Sequence, residues 1–99
     1  MARSKPRSIV FAVGGHIALG DIPHLCTALH ASLDGEDLEL VICDVGALVH
    51  PDAVTVDALA RLQLTTRRHG CRMRLRHPSP ELLELIAFVG LCPNVARGS

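Results

Sequence analysis

Leu38-Glu39-Leu40-Val41-Ile42-Cys43-Asp44-Val45 is the run that decides the fold. Apolar side chains stand at 38, 40 and 42 and also at 41, 43 and 45, so both faces of this strand are expected to be covered. Such a strand belongs in the middle of a parallel sheet. Working outward, Ile9 to Val13 upstream and Cys71 to Arg76 downstream are the other two short β-type runs. Between and after them lie segments with helical periodicity. The first has Asp21 as N-cap, Pro23 in its first turn and Ile22, Leu25, Cys26, Leu29 and Leu33 on one face, and it closes at Gly35. The second has Asp52 as N-cap after Pro51, then Val56, Leu59, Ala60 and Leu62, and ends at Gly70. The third has Ser79 as cap, Pro80 at its first helical position, then Leu82, Leu85, Ile86 and Val89 before Gly90. Strands that alternate with helices pair in parallel through right-handed crossovers. The expected class is therefore α/β: a small, mainly parallel sheet with three main helices built from serial strand–helix units.

Topology fixes where function sits. In a parallel sheet every strand-to-helix loop leaves from the carboxyl edge, here residues 14–20, 46–52 and 77–79, and each loop delivers a helix N-terminus. In the third strand Arg72, Arg74 and Arg76 alternate with Cys71, Met73 and Leu75, which puts three guanidinium groups on one face. One reading is a solvated edge strand whose charges prevent edge-to-edge pairing. The other joins them with Arg67 and Arg68 into a patch for an acidic partner or a phosphate.

Composition removes several classes. The chain has 99 residues, ten Lys and Arg against ten Asp and Glu, 48% hydrophobic residues, two Phe and neither Tyr nor Trp. That is one globular domain, since a second core would need more chain. Zero net charge and so few rings supply neither the field nor the stacking platforms of a nucleic-acid binder. No run approaches the ~18 apolar residues of a membrane span. Cys26, Cys43, Cys71 and Cys92 form no Cys-x-x-Cys pair and read as buried thiols of a cytoplasmic protein. Arg3, Lys5 and Arg7 precede an apolar run too short for a signal peptide.

Motif by motif, the chain gives no catalytic constellation and no cofactor site. Gly15-His-Ile-Ala-Leu-Gly20 has the spacing of a phosphate loop, but Asp21-Ile22 stands where Lys-Ser/Thr would hold phosphate and magnesium. Neither Gly-x-Ser-x-Gly nor His-Glu-x-x-His occurs, so the chain is read as not an enzyme. His16, His50 and His77 all fall on the loop edge, yet their spacing matches no zinc pattern.

Three segments carry a resemblance. Leu40-Val-Ile-Cys-Asp-Val-Gly46, Asp52-Ala-Val-Thr-Val-Asp-Ala-Leu-Ala-Arg-Leu62, and Arg68-His-Gly-Cys-Arg-Met-Arg-Leu75 followed by Ser79-Pro-Glu-Leu and Ile86-Ala-Phe-Val-Gly-Leu91 stand in order and at matching spacing. Together they resemble the STAS domains, named for sulphate transporters and anti-sigma factor antagonists. The similarity covers residues 9–91 as one domain, with 1–8 and 92–99 as flanking tails. The family usually has a further strand before the segment matching Ile9 and a further strand or helix after Leu91.

The resemblance implies a small cytosolic bacterial regulator of sigma-factor control, and hence of transcription. Such a protein docks onto an anti-sigma factor or serine/threonine kinase-like partner through the loop and N-terminus of its second helix. It is switched by phosphorylation there. Carried onto this chain, the surface is Asp52, Ala53, Val54, Thr55, Val56 and Asp57. Asp52 matches the family's aspartate, while Ala53 and Val54 replace its two serines. Thr55, where a glycine is usual, is the nearest hydroxyl and the candidate displaced phosphoacceptor; alternatively its hydroxyl bonds local backbone at the cap. Two other functions stay open: an assembly subunit that homodimerises through apolar surface, and a sensor of a small anion or nucleotide at the loop edge.

Overall fold

The computed structural model describes residues 7–89. Three strands, β1 (Ser8–Ala12), β2 (Leu40–Asp44) and β3 (Arg72–Arg76), form an all-parallel sheet in the order β1-β2-β3. Three helices follow them in turn: α1 (Ile22–Leu33), α2 (Ala53–Arg68) and α3 (Pro80–Phe88). The α/β class and the central place of β2 are as the sequence predicts. Register runs straight across the sheet. Ser8, Leu40 and Arg72 share a row, as do Val10, Ile42 and Arg74, and Ala12, Asp44 and Arg76.

One continuous core fills the space between the sheet and the helices. Val41, Cys43, Val45, Met73 and Leu75 meet Ile22, Leu29 and Leu33 of α1, Val56, Leu59 and Leu62 of α2, and Leu82 and Ile86 of α3. Helix α2 packs against both other helices and against β3, which explains why Leu62 and Ala58 are wholly buried. Of the three cysteines among the described residues, Cys43 and Cys71 are buried as expected, whereas Cys26 is only half-buried. Cys92 and the expected stop at Gly90 lie outside those residues. Burial, with the Asp44 charge beside it, pushes the Cys43 thiol up to about 12.

Two expectations need correction. Among the described residues no helix covers the second face of β2: Leu40 and Ile42 are half-buried, and beside them Ser8, Val10, Ala12 and Arg72 are exposed. Among the described residues all three helices lie on the other face, because their buried side chains join the single core cluster with Val41 and Cys43. Asp21 is also not the N-cap of α1. A short 3-10 turn, Leu19–Asp21, precedes the helix, Asp21 has helical backbone, and its carboxylate accepts from the Ala18 N–H at 2.9 Å. The other two caps are as expected. Asp52 accepts from Thr55 N–H, and Ser79 from Leu82 N–H at 3.1 Å, with Pro80 opening α3.

Candidate functional site

All three strand-to-helix loops meet at the carboxyl edge of the sheet, above β2. Gly15 N–H donates to the Ala47 carbonyl at 3.0 Å and Val49 N–H to the Gly15 carbonyl at 3.1 Å, so the loops after β1 and β2 form a small bridge. The loop after β3 joins at Gly46. A side chain there would place its Cβ 3.0 Å from His77 Cβ and 3.2 Å from Asp44 Oδ1, an approach only glycine allows without displacement. His50 and His77 both adopt left-handed backbone, φ 49° and 59°, each directly before a proline.

Two carboxylates organise this edge. Asp44, at the end of β2, accepts from the Gly46 N–H at 3.0 Å, from Arg76 Nη2 at 3.2 Å and from His77 Nδ1 at 3.4 Å. Those partners, with the Gly46 amide foremost, hold its carboxyl below the usual carboxylate range. Asp52 is the second. Its Oδ1 accepts from the Thr55 N–H at 3.1 Å and from the Thr55 hydroxyl at 3.2 Å, and its Oδ2 lies 3.2 Å from His16 Nε2. The Thr55 amide above all, then the imidazole, lowers its pKa too. In return the Asp52 N–H donates to Thr55 Oγ1 at 3.1 Å. This reciprocal pair is a capping box with threonine in the place of the usual glutamate.

The six residues singled out from sequence separate by helix phase. Ala53 is exposed, and Asp52, Val54 and Asp57 are half-buried at the head of α2. Thr55 and Val56 turn inward and are 1% and 5% exposed. The Thr55 hydroxyl is both donor and acceptor within the capping box, so transfer of a phosphoryl group to it requires that box to open. Asp57 pairs with Arg61 one turn on, Nε to Oδ1 at 3.2 Å. What reaches solvent here is therefore Asp52, Ala53, Val54 and Asp57, with Val49 of the preceding loop half-exposed beside them.

His16 is the residue that sequence reasoning placed on this edge without a role. It ties the loop after β1 to the head of α2. His16 and His77 serve different carboxylates, and among the described residues no three His, Cys, Asp or Glu side chains converge as a metal site. Nothing in the sequence signalled the positive φ at His50 and His77, since a residue before proline ordinarily takes extended backbone. A cleft of about 360 Å³ lies beside His16, lined by Val13, Ile17, Leu25 and Asp21. Its polar lining is one carboxylate, Asp21, and two imidazoles, His16 and His24.

No curated protein matches the chain. The family model described as "STAS domain" matches residues 1–97. With its parallel sheet, its helix-initiating aspartate after β2 and this match over nearly its whole length, the chain belongs to the STAS domain family.

Proposed function

We propose that this protein is a non-enzymatic regulator of the anti-sigma factor antagonist type, a bacterial cytoplasmic module that holds an anti-sigma factor or serine/threonine kinase-like protein. The contact surface is the head of α2: Asp52, Ala53 and Val54, with Asp57 one turn on and Val49 at its margin. The observation that carries the reading is that the exposed Ala53 and the half-buried Val54 stand at the first turn of α2, at the positions that the resemblance aligns with the family's two serines. Methyl groups there leave an apolar contact that phosphate cannot switch off. Thr55 closes the capping box that fixes the geometry of this turn, through the two hydrogen bonds of its hydroxyl to Asp52. On this reading binding is constitutive, and control lies with the partner or with the amount of protein.

Pull-down with purified anti-sigma kinases tests it. The wild-type chain is expected to be retained whether or not ATP is present, and Val54→Asp, which sets a carboxylate in the contact, to be retained about tenfold less or worse. Unchanged retention of Val54→Asp sinks the surface. Incorporation of phosphate at Thr55 by the same kinases would show that the capping box opens and that the displaced hydroxyl is the switch.

A further inference from the structure

The open face of the sheet is a three-by-three grid. One column is Ser8, Val10 and Ala12, the middle one Leu40, Ile42 and Asp44, and the third Arg72, Arg74 and Arg76. Its centre is apolar: Val10 is 51% exposed, and Leu40 and Ile42 are half-buried. Its β3 side is basic. Asp44 already engages Arg76, whereas Arg72 and Arg74 have no ion-pair partner among the described residues. Arg67 extends the charge around the edge, where it shares a cleft with Arg72 and Met73. An apolar strip bordered on one side by uncompensated guanidinium groups is complementary to one kind of surface, an apolar stripe bordered by carboxylates.

Size narrows the occupant. Two strand spacings by four residue rises make a face of about 10 Å by 13 Å. That matches the width of one helix of about 10 Å diameter. A second copy would bring another arginine column to a face whose single carboxylate is taken. Residues 1–6 and 90–99 contain no Asp or Glu side chain to pair with Arg72 and Arg74.

From this complementarity we infer that the open sheet face is a second docking surface, which takes an acidic amphipathic helix of a partner protein. The helix lays its apolar stripe on Val10, Leu40 and Ile42 and its carboxylates along Arg72 and Arg74, with the arginine stems covering the apolar margin. This surface is on the far side of the sheet from the core that carries α2, so it is independent of the contact at the head of that helix.

The test uses the full chain and a synthetic peptide of about 18 residues, long enough to be helical alone, with a leucine stripe flanked by glutamates, and its lysine counterpart. Amide shifts on titration are expected in residues 8–12, 40–44 and 72–76 with the acidic peptide and not with the basic one. Arg72→Glu with Arg74→Glu should weaken binding about tenfold or more, and Val10→Asp should also weaken it. These are exposed or half-buried positions, and an unchanged thermal transition establishes that each variant is folded. Equal affinity of the double variant, or shifts confined to the head of α2, overturns the inference. So does a face that stays silent because the terminal segments or a second copy fill it. Shifts there with a single-stranded oligonucleotide and none with the acidic peptide likewise overturn it in favour of nucleic acid.

Discussion

Asp52 does three things with two oxygens. It caps α2, it anchors the Thr55 hydroxyl, and it meets the His16 imidazole. Because its folded pKa lies below the ordinary carboxylate value, the stability it lends is present above the unfolded pKa, near about 4, and is lost as pH falls through the folded value. Asp52→Asn keeps an acceptor for the Thr55 amide but cannot titrate. Chemical denaturation at pH 7 and again below pH 4 should therefore show a smaller acid loss for the variant than for wild type. Asp52→Ala, which removes the cap altogether, should lower Tm by roughly 5 °C at neutral pH. The same residue shows what sequence could and could not reveal. That Asp52 begins a helix was legible from Pro51 and the apolar spacing after it. That Thr55 completes the box and is lost to solvent was not, because helix phase alone does not fix which of two neighbouring side chains faces the core.

At the scale of elements, the C-terminus of α2 is as firmly closed as its head. Gly70 N–H bonds to the Arg67 carbonyl at 3.0 Å and Cys71 N–H to the Thr66 carbonyl at 2.9 Å, the Schellman pattern, with Gly70 at φ 75°. No atom lies within 4 Å of the Cβ that an alanine would add, so the cost of Gly70→Ala is conformational alone, about 1 kcal/mol, measurable as a shift of the urea midpoint with an unchanged slope. Gly70 was readable as a stop because glycine after helical spacing has one common cause. Asp21 misled for a related reason. An aspartate two residues before a proline looks like a cap, but here a 3-10 turn is inserted and the carboxylate turns back to Ala18. The open sheet face was misread from β2 alone, whose apolar residues fill both sides. The neighbouring strands held the correction, since Ser8, Ala12 and the three arginines share the outer rows.

For the whole molecule, one core supports everything, and its centre is α2. Leu62 is wholly buried and touches the same cluster as β2 and α1, so Leu62→Ala should cost about 3 kcal/mol of a total in the range of about 5–15. Calorimetry or urea titration would read it as a single cooperative loss, because no second core exists among the described residues to melt separately. The family match and the geometry meet at this level too. The element that carries the proposed contact is the one most deeply packed, and that keeps its exposed first turn in place.

The sheet register has a consequence for how the chain reaches this state. Ser8 pairs with Leu40 and Leu40 with Arg72, each step spanning 32 residues. No hairpin exists among the three strands, and every ladder closes a loop that contains a complete helix, so the chain's pairing is uniformly long-range and its folding correspondingly slow for its size. On a ribosome, β1 and β2 can emerge and still lack the third strand and the helix that cover Cys43 and Val41. The apolar central strand stays unprotected until residues beyond Arg76 have been synthesised, several seconds at about 5–20 residues per second. During that interval the nascent chain is most exposed to aggregation.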